Sequence, residues 1–529
     1  MPLSDQHIDT EVLVIGGGAT GAGILRDLTL RGFHCILVER GDLNAGASGA
    51  NHGLLHSGAR YASSDPQGAM ACAREGKILK KMAPHLIEET GGLFAAVSGD
   101  DEHFVAEFPG HCRHCGIVCR EVDAPEAREM EPALSHGLMA AYAVEDATID
   151  PFGLVLDHVA DALNQGGRLL LNTPVVEIRV EQRRIREVVV RHRYNGRQWC
   201  IRPRMVVNAS GAWAGEVASM AGVPIHVLYS KGSLVITNSR VSGRVINRLR
   251  PPSNGDIVVP GGTVSVVGTT SLRIDSLDRI RPELSEAELI ISQAREMLPC
   301  LETARYIRAY AGVRPLAGGG TDKDDRHVSR GFTLLDHDRD GIDNFMTIIG
   351  GKLTTFRLMA ERTVDLVCRK TGRGGPCMTQ TLPLPSSSEG RWTRPGQAPR
   401  QWLAAGLQED PMLCECEMVS HRTVSALLDH IRKEGGETGL AAIGSRSRVG
   451  KGTCQGAFCG FRVLGMLYDN GDFTSRQGVR DLSRFLNSRW KGIRPVLWGP
   501  TLAQEELQEA LHCGLFGLEL PLDPEGNVR

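Results

Sequence analysis

"TEVLVIGGGATGAGILRDLTLRGFHCILVERGD", residues 10–42, decides the fold. It opens on an apolar run, residues 11–15, of the kind buried in a parallel strand. Gly16, Gly18 and Gly21 follow in G-x-G-x-x-G spacing, and the pattern then predicts a helix with Ile24, Leu25 and Leu28 on one face. Gly32 ends that helix, and "CILVE" supplies a second strand closing on Glu39. The whole reads as one βαβ unit for a dinucleotide. Gly16 makes the turn, Gly18 lets the backbone approach a pyrophosphate, and Gly21 permits close helix–strand packing. The helix N-terminus offers free N–H groups to the phosphates. A carboxylate at Glu39 can accept both ribose hydroxyls, which argues against a 2′-phosphate there. A chance glycine turn between core elements would need strand, helix, strand and acid to coincide.

The bulk numbers set the frame around this unit. At 529 residues the chain exceeds one compact core and implies roughly two to four domains. It is 41% hydrophobic and 23% charged with a net charge of −2, which gives no basic excess for nucleic acid. No apolar run approaches the roughly 20 residues that span a bilayer, and the N-terminus lacks a basic region followed by a long apolar one. A cytoplasmic protein is the expectation. Its 14 cysteines are then read as buried hydrophobes, metal ligands or redox groups, with disulfides not expected.

Three further segments favour FAD over NAD. "GASGANHGLLHSGARYA" (46–62) is dense in Ser, Gly, Asn and His and suits a pyrophosphate and ribityl chain. "RMVVNASGAWAGEVA" (204–218) is an apolar strand ending in Ala209, Ser210 and Gly211, another close backbone approach. "FMTIIGGKLTTFRLMAE" (345–361) is a strand, a Gly350-Gly351 turn and a helix whose N-terminus could face the flavin edge where negative charge develops on reduction. Motifs this far apart imply FAD-binding and substrate domains interleaved along the chain.

"HSGARY", "KGSLVI", "GTTSLRID", "AGVRPL", "VSRGF" and "GGKLTTFRLMAE" resemble, in order and spacing over roughly residues 10–375, the FAD-dependent glycerol-3-phosphate dehydrogenases. With the cysteine pairs that follow, the whole chain is similar to the catalytic A-subunits of the anaerobic type. The resemblance implies non-covalent FAD and oxidation of sn-glycerol 3-phosphate to dihydroxyacetone phosphate. It also implies electrons passed to a membrane quinone through two kinds of partner subunit: a second one of flavoprotein type, and an iron–sulfur membrane anchor. The chain would then sit peripherally on the inner face of the cell membrane. Cofactor contacts beyond the glycines, Glu39, Ser210 and Gly211 are implied for Ala19, Thr20, Arg40, Ser48, Asn51, His52 and Gly53, and for Val176, Lys352, Leu353 and Thr354. One departure stands out. Aerobic relatives usually read "HGG" and "KGSH" where this chain has His56-Ser57-Gly58 and Lys231-Gly232-Ser233-Leu234, so the second-motif histidine is absent.

Oxidising a secondary alcohol sends a hydride from carbon to flavin N5 while a base takes the hydroxyl proton. His56, in the stretch the family places beside the flavin, is the candidate base; the alternative is that it only bonds FAD or a carbonyl, and His52 competes with it. A phosphate dianion calls for several cations, preferably arginine forks. Arg314 between Gly312 and Pro315, Arg330, Lys352, and Arg60 with Tyr61 are the candidates. Each alone would more often be a solvated charge among 60 basic residues. Flavin oxidases of 2-hydroxy acids and amino acids use a matching arginine for a carboxylate, so Arg314 alone leaves that reading open, as it leaves a non-catalytic flavin and iron–sulfur carrier.

"LPLPSSSEGRWTRPGQAPRQW" (382–402) reads as a linker, after which come Cys414-x-Cys416 and Cys454-x4-Cys459. Between the pairs, Ser420 can cap a helix carrying Val424, Leu427, Leu428 and Ile431. Four thiolates suit zinc or an iron–sulfur cluster; zinc favours C-x2–4-C in both halves, which these spacings fit poorly. The order is similar to the bacterioferritin-associated ferredoxin type, which implies a [2Fe–2S] centre. Arg446, Arg448 and Lys451 beside the second pair could offset cluster charge, but are read first as an ordinary solvated loop. Cys112, Cys115 and Cys119 with His111 and His114 look metal-like but lack a second half-site, and a Pro-Gly break is expected just before them. The expected division is an α/β chain with a Rossmann-like FAD domain interleaved with an α+β substrate domain over 1–380, and a linker over 381–410. A small helical [2Fe–2S] domain over 411–470 and a helical extension over 471–529, bearing exposed Trp490 and Trp498, complete it.

Overall fold

β1 (Gln6–Ile15) runs into Gly16 at φ +114°, α1 (Ala19–Leu30) starts three residues on, and β2 (Cys35–Val38) returns beside β1 in parallel. A Cβ on Gly21 would stand 1.9 Å from the Gly16 carbonyl oxygen, so α1 approaches the turn more closely than any side chain permits. The computed structural model describes residues 6–317, 331–385, 409–433 and 436–518. Among these, β1 sits in an eight-stranded sheet, flanked by β2 and by the parallel strand Gln198–Asn208. Arg168–Leu170 extends the β2 side in parallel. On the other side Gln198–Asn208 pairs with antiparallel Arg184–Arg191 at one end and parallel Phe345–Gly350 at the other. Both faces are covered, which is why these strands are apolar throughout. Val12 and Val14 pack with Ile24, Leu25, Leu28 and Val364 on one face. Leu13 and Ile15 pack with Val188, Val206 and Phe345 on the other.

A second, nine-stranded sheet draws its strands from Gly92–Val97 through Tyr306–Ala317, between the pieces of the first. The two folding units are interleaved, as the scattered motifs imply. Val227–Thr237 and Tyr306–Ala317 pair antiparallel, with Ser230 opposite Arg314 and Gly232 opposite Gly312. That register brings the "KGSL" and "AGVRPL" stretches side by side.

The cysteine segment is compact. A hairpin of Met412–Cys414 and Val419–Ser420 leads into the helix His421–Lys433, at whose N-terminus Ser420 Oγ accepts the Thr423 N–H at 3.4 Å. Val424, Leu427, Leu428 and Ile431 are its buried face, at the predicted spacing. Two borders differ from expectation. Leu482 and Phe485 of the helix Gln477–Ile493 complete this same core, so residue 470 does not end it. Residues 386–408 of the expected linker lie outside the described residues, but its first residues are packed: Leu384 is buried, its N–H bonds Met82 O at 2.7 Å, and buried Arg26 donates to the carbonyls of Leu382 and Pro383. The chain then returns to the second sheet, where Val496 joins the core and Thr501 Oγ1 bonds Tyr306 O at 2.7 Å. Trp490 and Trp498 are exposed.

The Pro-Gly break also fails. Helix Glu102–His114 runs through Pro109 and Gly110, because Phe108 and Cys112, on one face, anchor it in a shared apolar core. That packing outweighs the one backbone hydrogen bond proline removes. Cys112 and Cys115 are buried there as hydrophobes. No helix among the described residues is long and apolar enough to cross a membrane.

The basic loop before Cys454 is not solvated either. Arg446 clamps Asp42, just after the βαβ unit, through two bonds of 2.6 and 2.9 Å, with its own side chain only 2% exposed. Arg448 bonds Glu417 at 2.9 Å, and Lys451 lies 4.0 Å over the Phe152 ring. Arg446 and Lys451 thus dock the cysteine segment onto the flavin-type domain, while Arg448 braces the segment internally. Arg446→Ala should cost roughly 2–4 kcal/mol, because it leaves a half-buried carboxylate without its partner. A double-mutant cycle with Asp42→Ala, read by urea unfolding, should give a coupling of about 1–2 kcal/mol; additive effects would mean the pair does not join the two parts.

Candidate functional site

The G-x-G-x-x-G turn opens onto a cavity of about 430 Å³ that runs from Glu39 and Arg40 past the glycines to Arg314 and Lys352. At one end Glu39 accepts the N–H groups of Gly17 at 2.7 Å and Gly41 at 2.8 Å. Burial pushes its carboxyl up, against the pull of those two donors. Arg40 stacks on Trp213 at 3.7 Å, which makes a flat platform beside it. Further in, Ser48 Oγ accepts the Ala19 N–H at 2.9 Å and holds the loop 46–53 over the start of α1. Asn51 shapes that loop by donating to Ser48 O and accepting the Gly53 N–H. Ser210 and Gly211, after the strand Gln198–Asn208, form the facing wall.

At the other end Gly350 and Gly351 take φ of +87° and +82°, and a Cβ on Gly351 would meet Met359 Sδ at 2.3 Å. This turn starts the helical run Leu353–Thr355 and Phe356–Thr371, aiming its N–H groups at the cavity. The helix is fixed by Arg357, fully buried, which makes two 2.7 Å bonds to Glu75. The chemistry of this cradle suits FAD: no Cβ could be added at Gly16, Gly18 or Gly351 without collision, and an elongated cavity crosses a helix N-terminus.

The cations expected for a phosphate meet at this second end. Arg60, Arg314 and Lys352 all line the cavity with His56 and Tyr61. Arg60 is held by Asp256 at 3.0 Å, and its Nη1 is buried with no acceptor. Arg314 donates to Thr269 Oγ1 at 3.0 Å and Thr270 O at 3.3 Å. A Cβ at Gly232 would stand 2.4 Å from Arg314 Nη2, so the glycine of "KGSL" is what gives the guanidinium room. Lys352 Nζ lies 4.4 Å over the Tyr61 ring and 3.4 Å from Asp65. His56 is buried 5.2 Å from the Tyr61 ring and 5.8 Å from His52. Its loop is fixed twice: His56 N–H donates to Thr354 Oγ1 at 3.2 Å, and the Ser57 N–H donates to buried Asp146 at 2.7 Å.

Not every expected residue lands here. Arg330 lies outside the described residues. Val176 points to solvent, 41% exposed, and Val175 lines the cavity instead, because alternate residues of that strand face opposite ways. Gly21 and Thr354 act behind the wall, and Gly53 lines a neighbouring cavity. Lys231 is used elsewhere, paired with buried Glu286 at 2.8 Å. Trp213, Asp146 and Asp256 have no counterpart in the sequence reading; no spacing marks a lone acid or tryptophan that acts across the fold.

The four C-terminal thiols also meet. Cys414 to Cys416 and Cys416 to Cys454 are each 3.8 Å, and Cys459 hydrogen-bonds both Cys414 and Cys454. Two sulfurs on one tetrahedral metal at about 2.3 Å stand about 3.8 Å apart, the spacing seen here. Among the described residues no group of three or more His, Cys, Asp and Glu already surrounds a metal position, so the set is gathered but not closed on a centre. Hydrogen bonds from Cys416 and Cys459, then from the Gly456 and Phe458 N–H groups, pull Cys454 far below the ordinary thiol range. A Cβ on Gly452 would lie 2.6 Å from Cys416 Sγ. Four gathered sulfurs with backbone N–H groups aimed at one of them are a donor set of the kind that suits zinc or an iron–sulfur centre.

Fold and cradle together define an FAD-dependent oxidoreductase, and the family model described as "DAO: FAD dependent oxidoreductase" matches residues 11–357. Within that class the chain belongs to the family of anaerobic glycerol-3-phosphate dehydrogenase A-subunits. It is 42% identical to the A-subunit from Escherichia coli (strain K12) over 96% of this chain and 97% of the relative. The Haemophilus influenzae protein of the same name is 39% identical over 98% and 95%, and the Haloferax volcanii A1-subunit is 39% identical over 95% and 90%. Among solved structures, the glycerol-3-phosphate dehydrogenase from Bacillus halodurans complexed with FAD has the same fold, with a TM-score of 0.66 at 21% identity over 94% of this chain and 97% of that one.

Gly351→Val should lower FAD retention at least tenfold, since it forces both a strained backbone and a collision with Met359. Absorbance near 450 nm per mole of purified, folded protein measures it; undiminished flavin content would remove this turn from the cofactor site.

Proposed function

We propose that this chain oxidises sn-glycerol 3-phosphate to dihydroxyacetone phosphate and passes the electrons to partner subunits through its cysteine segment. The observation that supports the substrate reading is the meeting of Arg60, Arg314 and Lys352 with His56 in one cavity beside the flavin-type cradle. Three cations suit a phosphate dianion, whereas one arginine would suffice for the carboxylate of a 2-hydroxy acid or amino acid. The buried, unpaired Nη1 of Arg60 is a donor waiting for a substrate oxygen. The names of relatives that match nearly the whole chain support the same substrate.

In this reading Arg314 and Lys352 hold the phosphate and Arg60 adds a third contact. Tyr61 packs against both Lys352 and His56. His56, buried and fixed through Thr354 and Ser57, takes the proton of the secondary hydroxyl. Bound FAD supplies a hydride acceptor, and a [2Fe–2S] cluster supplies one-electron transfer. Cys414, Cys416, Cys454 and Cys459 would hold the cluster, and Glu39, Ser48, Ser210, Gly211 and the 350–353 turn would hold FAD without a covalent bond. Residues 10–375 thus form the flavin and substrate part, and the cysteine segment lies at the exit. The relatives are named as subunits, which supports a multi-subunit dehydrogenase, and we place it on the cytoplasmic face of the membrane with a quinone as distant acceptor. An anaerobic visible spectrum before and after adding glycerol 3-phosphate tests the reading. Flavin bleaching is expected, and no bleaching by this substrate with bleaching by a 2-hydroxy acid would overturn it.

Arg314→Ala should raise KM for glycerol 3-phosphate and cost roughly 2–5 kcal/mol in kcat/KM. Unchanged steady-state kinetics would take Arg314 out of the substrate site. Cys454→Ser should leave single-turnover flavin bleaching intact, because hydride transfer precedes the cluster, while turnover through the partner subunits to quinone collapses. A full quinone rate in that variant would remove the cysteines from the electron path.

A further inference from the structure

A second cavity, about 1070 Å³, lies where the flavin-type domain, the second sheet and the cysteine segment meet. It shares only the wall Ala50–His52 with the cofactor cavity. Four cations line its inner part, drawn from three stretches of chain: Arg308 on Tyr306–Ala317, Arg448 and Lys451 in the loop before Cys454, and Arg489 on Gln477–Ile493. Arg448 is paired with Glu417. Arg308, Lys451 and Arg489 have no carboxylate partner among the described residues. Lys451 lies 4.0 Å over Phe152, and Arg489 lies 5.0 Å over Phe485. Nε of Arg308, and Nε and Nη1 of Arg489, are shut off from solvent with no acceptor. Gly492, where a Cβ would meet Arg308 at 2.8 Å, lets Arg308 and the helix bearing Arg489 come together.

The four side chains are half-buried, but a folded protein seldom shuts guanidinium donors such as these away from solvent unless something else completes them. Asp150 and Glu417 are the carboxylates that face this group, and Glu417 already serves Arg448; the thiols of Cys414 and Cys459 face Arg448 and Arg489 from the cysteine site without hydrogen-bonding their open donors. The crowding is felt in the basicities. Burial, and next the neighbouring Arg308, hold Arg489 well below the ordinary guanidinium range. Lys451 is lowered to about 7, first by burial and then by Arg448.

We propose that this junction binds a phosphate-class oxyanion, with the forks of Arg308 and Arg489 and the Lys451 ammonium as its ligands. The site is separate from the substrate cations Arg60, Arg314 and Lys352, which line the other cavity. Guanidinium forks match the edges of a tetrahedral oxyanion, and an anion there neutralises charge contributed by three segments at once. The ligand therefore acts as a tie between them.

The test is thermal unfolding of the FAD-loaded full chain in increasing inorganic phosphate, with ionic strength held constant by chloride. A saturable rise in Tm is expected, retained in Arg314→Ala and weakened roughly tenfold or more in half-saturating phosphate by Arg489→Gln. Arg308→Gln and Lys451→Gln provide the same reading should Arg489→Gln fold poorly, with the flavin spectrum reporting intact folding. A parallel titration with AMP identifies the source of the group: tighter binding than phosphate assigns the site to a nucleotide, equal or weaker binding to free phosphate. A response abolished by Arg314→Ala but untouched by all three junction variants would overturn the proposal, as would a response no larger than that to chloride. Because the junction variants leave the substrate cations in place, failure here is distinguishable from failure of the substrate reading.

Discussion

Everything in this structure is positioned from one contact: the Gly21 α-carbon against the carbonyl of Gly16. Because no side chain can stand between them, α1 begins directly over the end of β1. The first N–H groups of α1 therefore point into the cavity, and Ser48 is brought to the Ala19 N–H. The loop that Ser48 belongs to continues into His56, Arg60 and Tyr61. A backbone approach of atomic closeness near the start of the chain thus fixes where the reacting end of the cavity lies.

The reacting end is stabilised by charges that are themselves held. Each described cation of the expected set has a partner that sets its direction: Asp256 for Arg60, Thr269 for Arg314, Asp65 for Lys352. The partners are short side chains on other elements, so the cations cannot collapse onto each other when the pocket is empty. Such arrangements lower the reorganisation needed when an anion arrives. The junction between the flavin-type domain and the cysteine segment differs, its Arg308 and Arg489 keeping buried donors without an acceptor.

How much of this is legible in the sequence follows the range of each interaction. The βαβ unit, the Gly350-Gly351 turn and the helix over 421–433 are legible because turns and periodic faces are local. The interleaving is legible from the order of the motifs. The misreadings share one cause. Arg446 reads as a solvated cation because its partner, Asp42, lies some four hundred residues away. Pro109 reads as a helix end because the core that overrides it is tertiary. The core of the cysteine segment runs past 470 because Leu482 and Phe485 belong to it by packing alone. Val176 is mistaken for its neighbour because strand phase is set by a sheet the sequence does not display. Asp146 and Asp256 carry no signal at all, being single acids whose meaning comes from what they touch.

The interleaving of the two sheets also dictates an order of assembly. β1 gains β2 early but must wait for Gln198–Asn208 to cover its other edge, and that strand must wait for Phe345–Gly350 to complete its own. A nascent chain leaving the ribosome therefore carries an open, apolar sheet edge for most of its synthesis. The long loops that join these strands make closure slow relative to chains of local contacts. By contrast the helices between 421 and 493 lie close together in the sequence and can gather early once they emerge. The part that appears last on the ribosome is thus the part best able to fold at once, and the part that appears first depends longest on protection from aggregation.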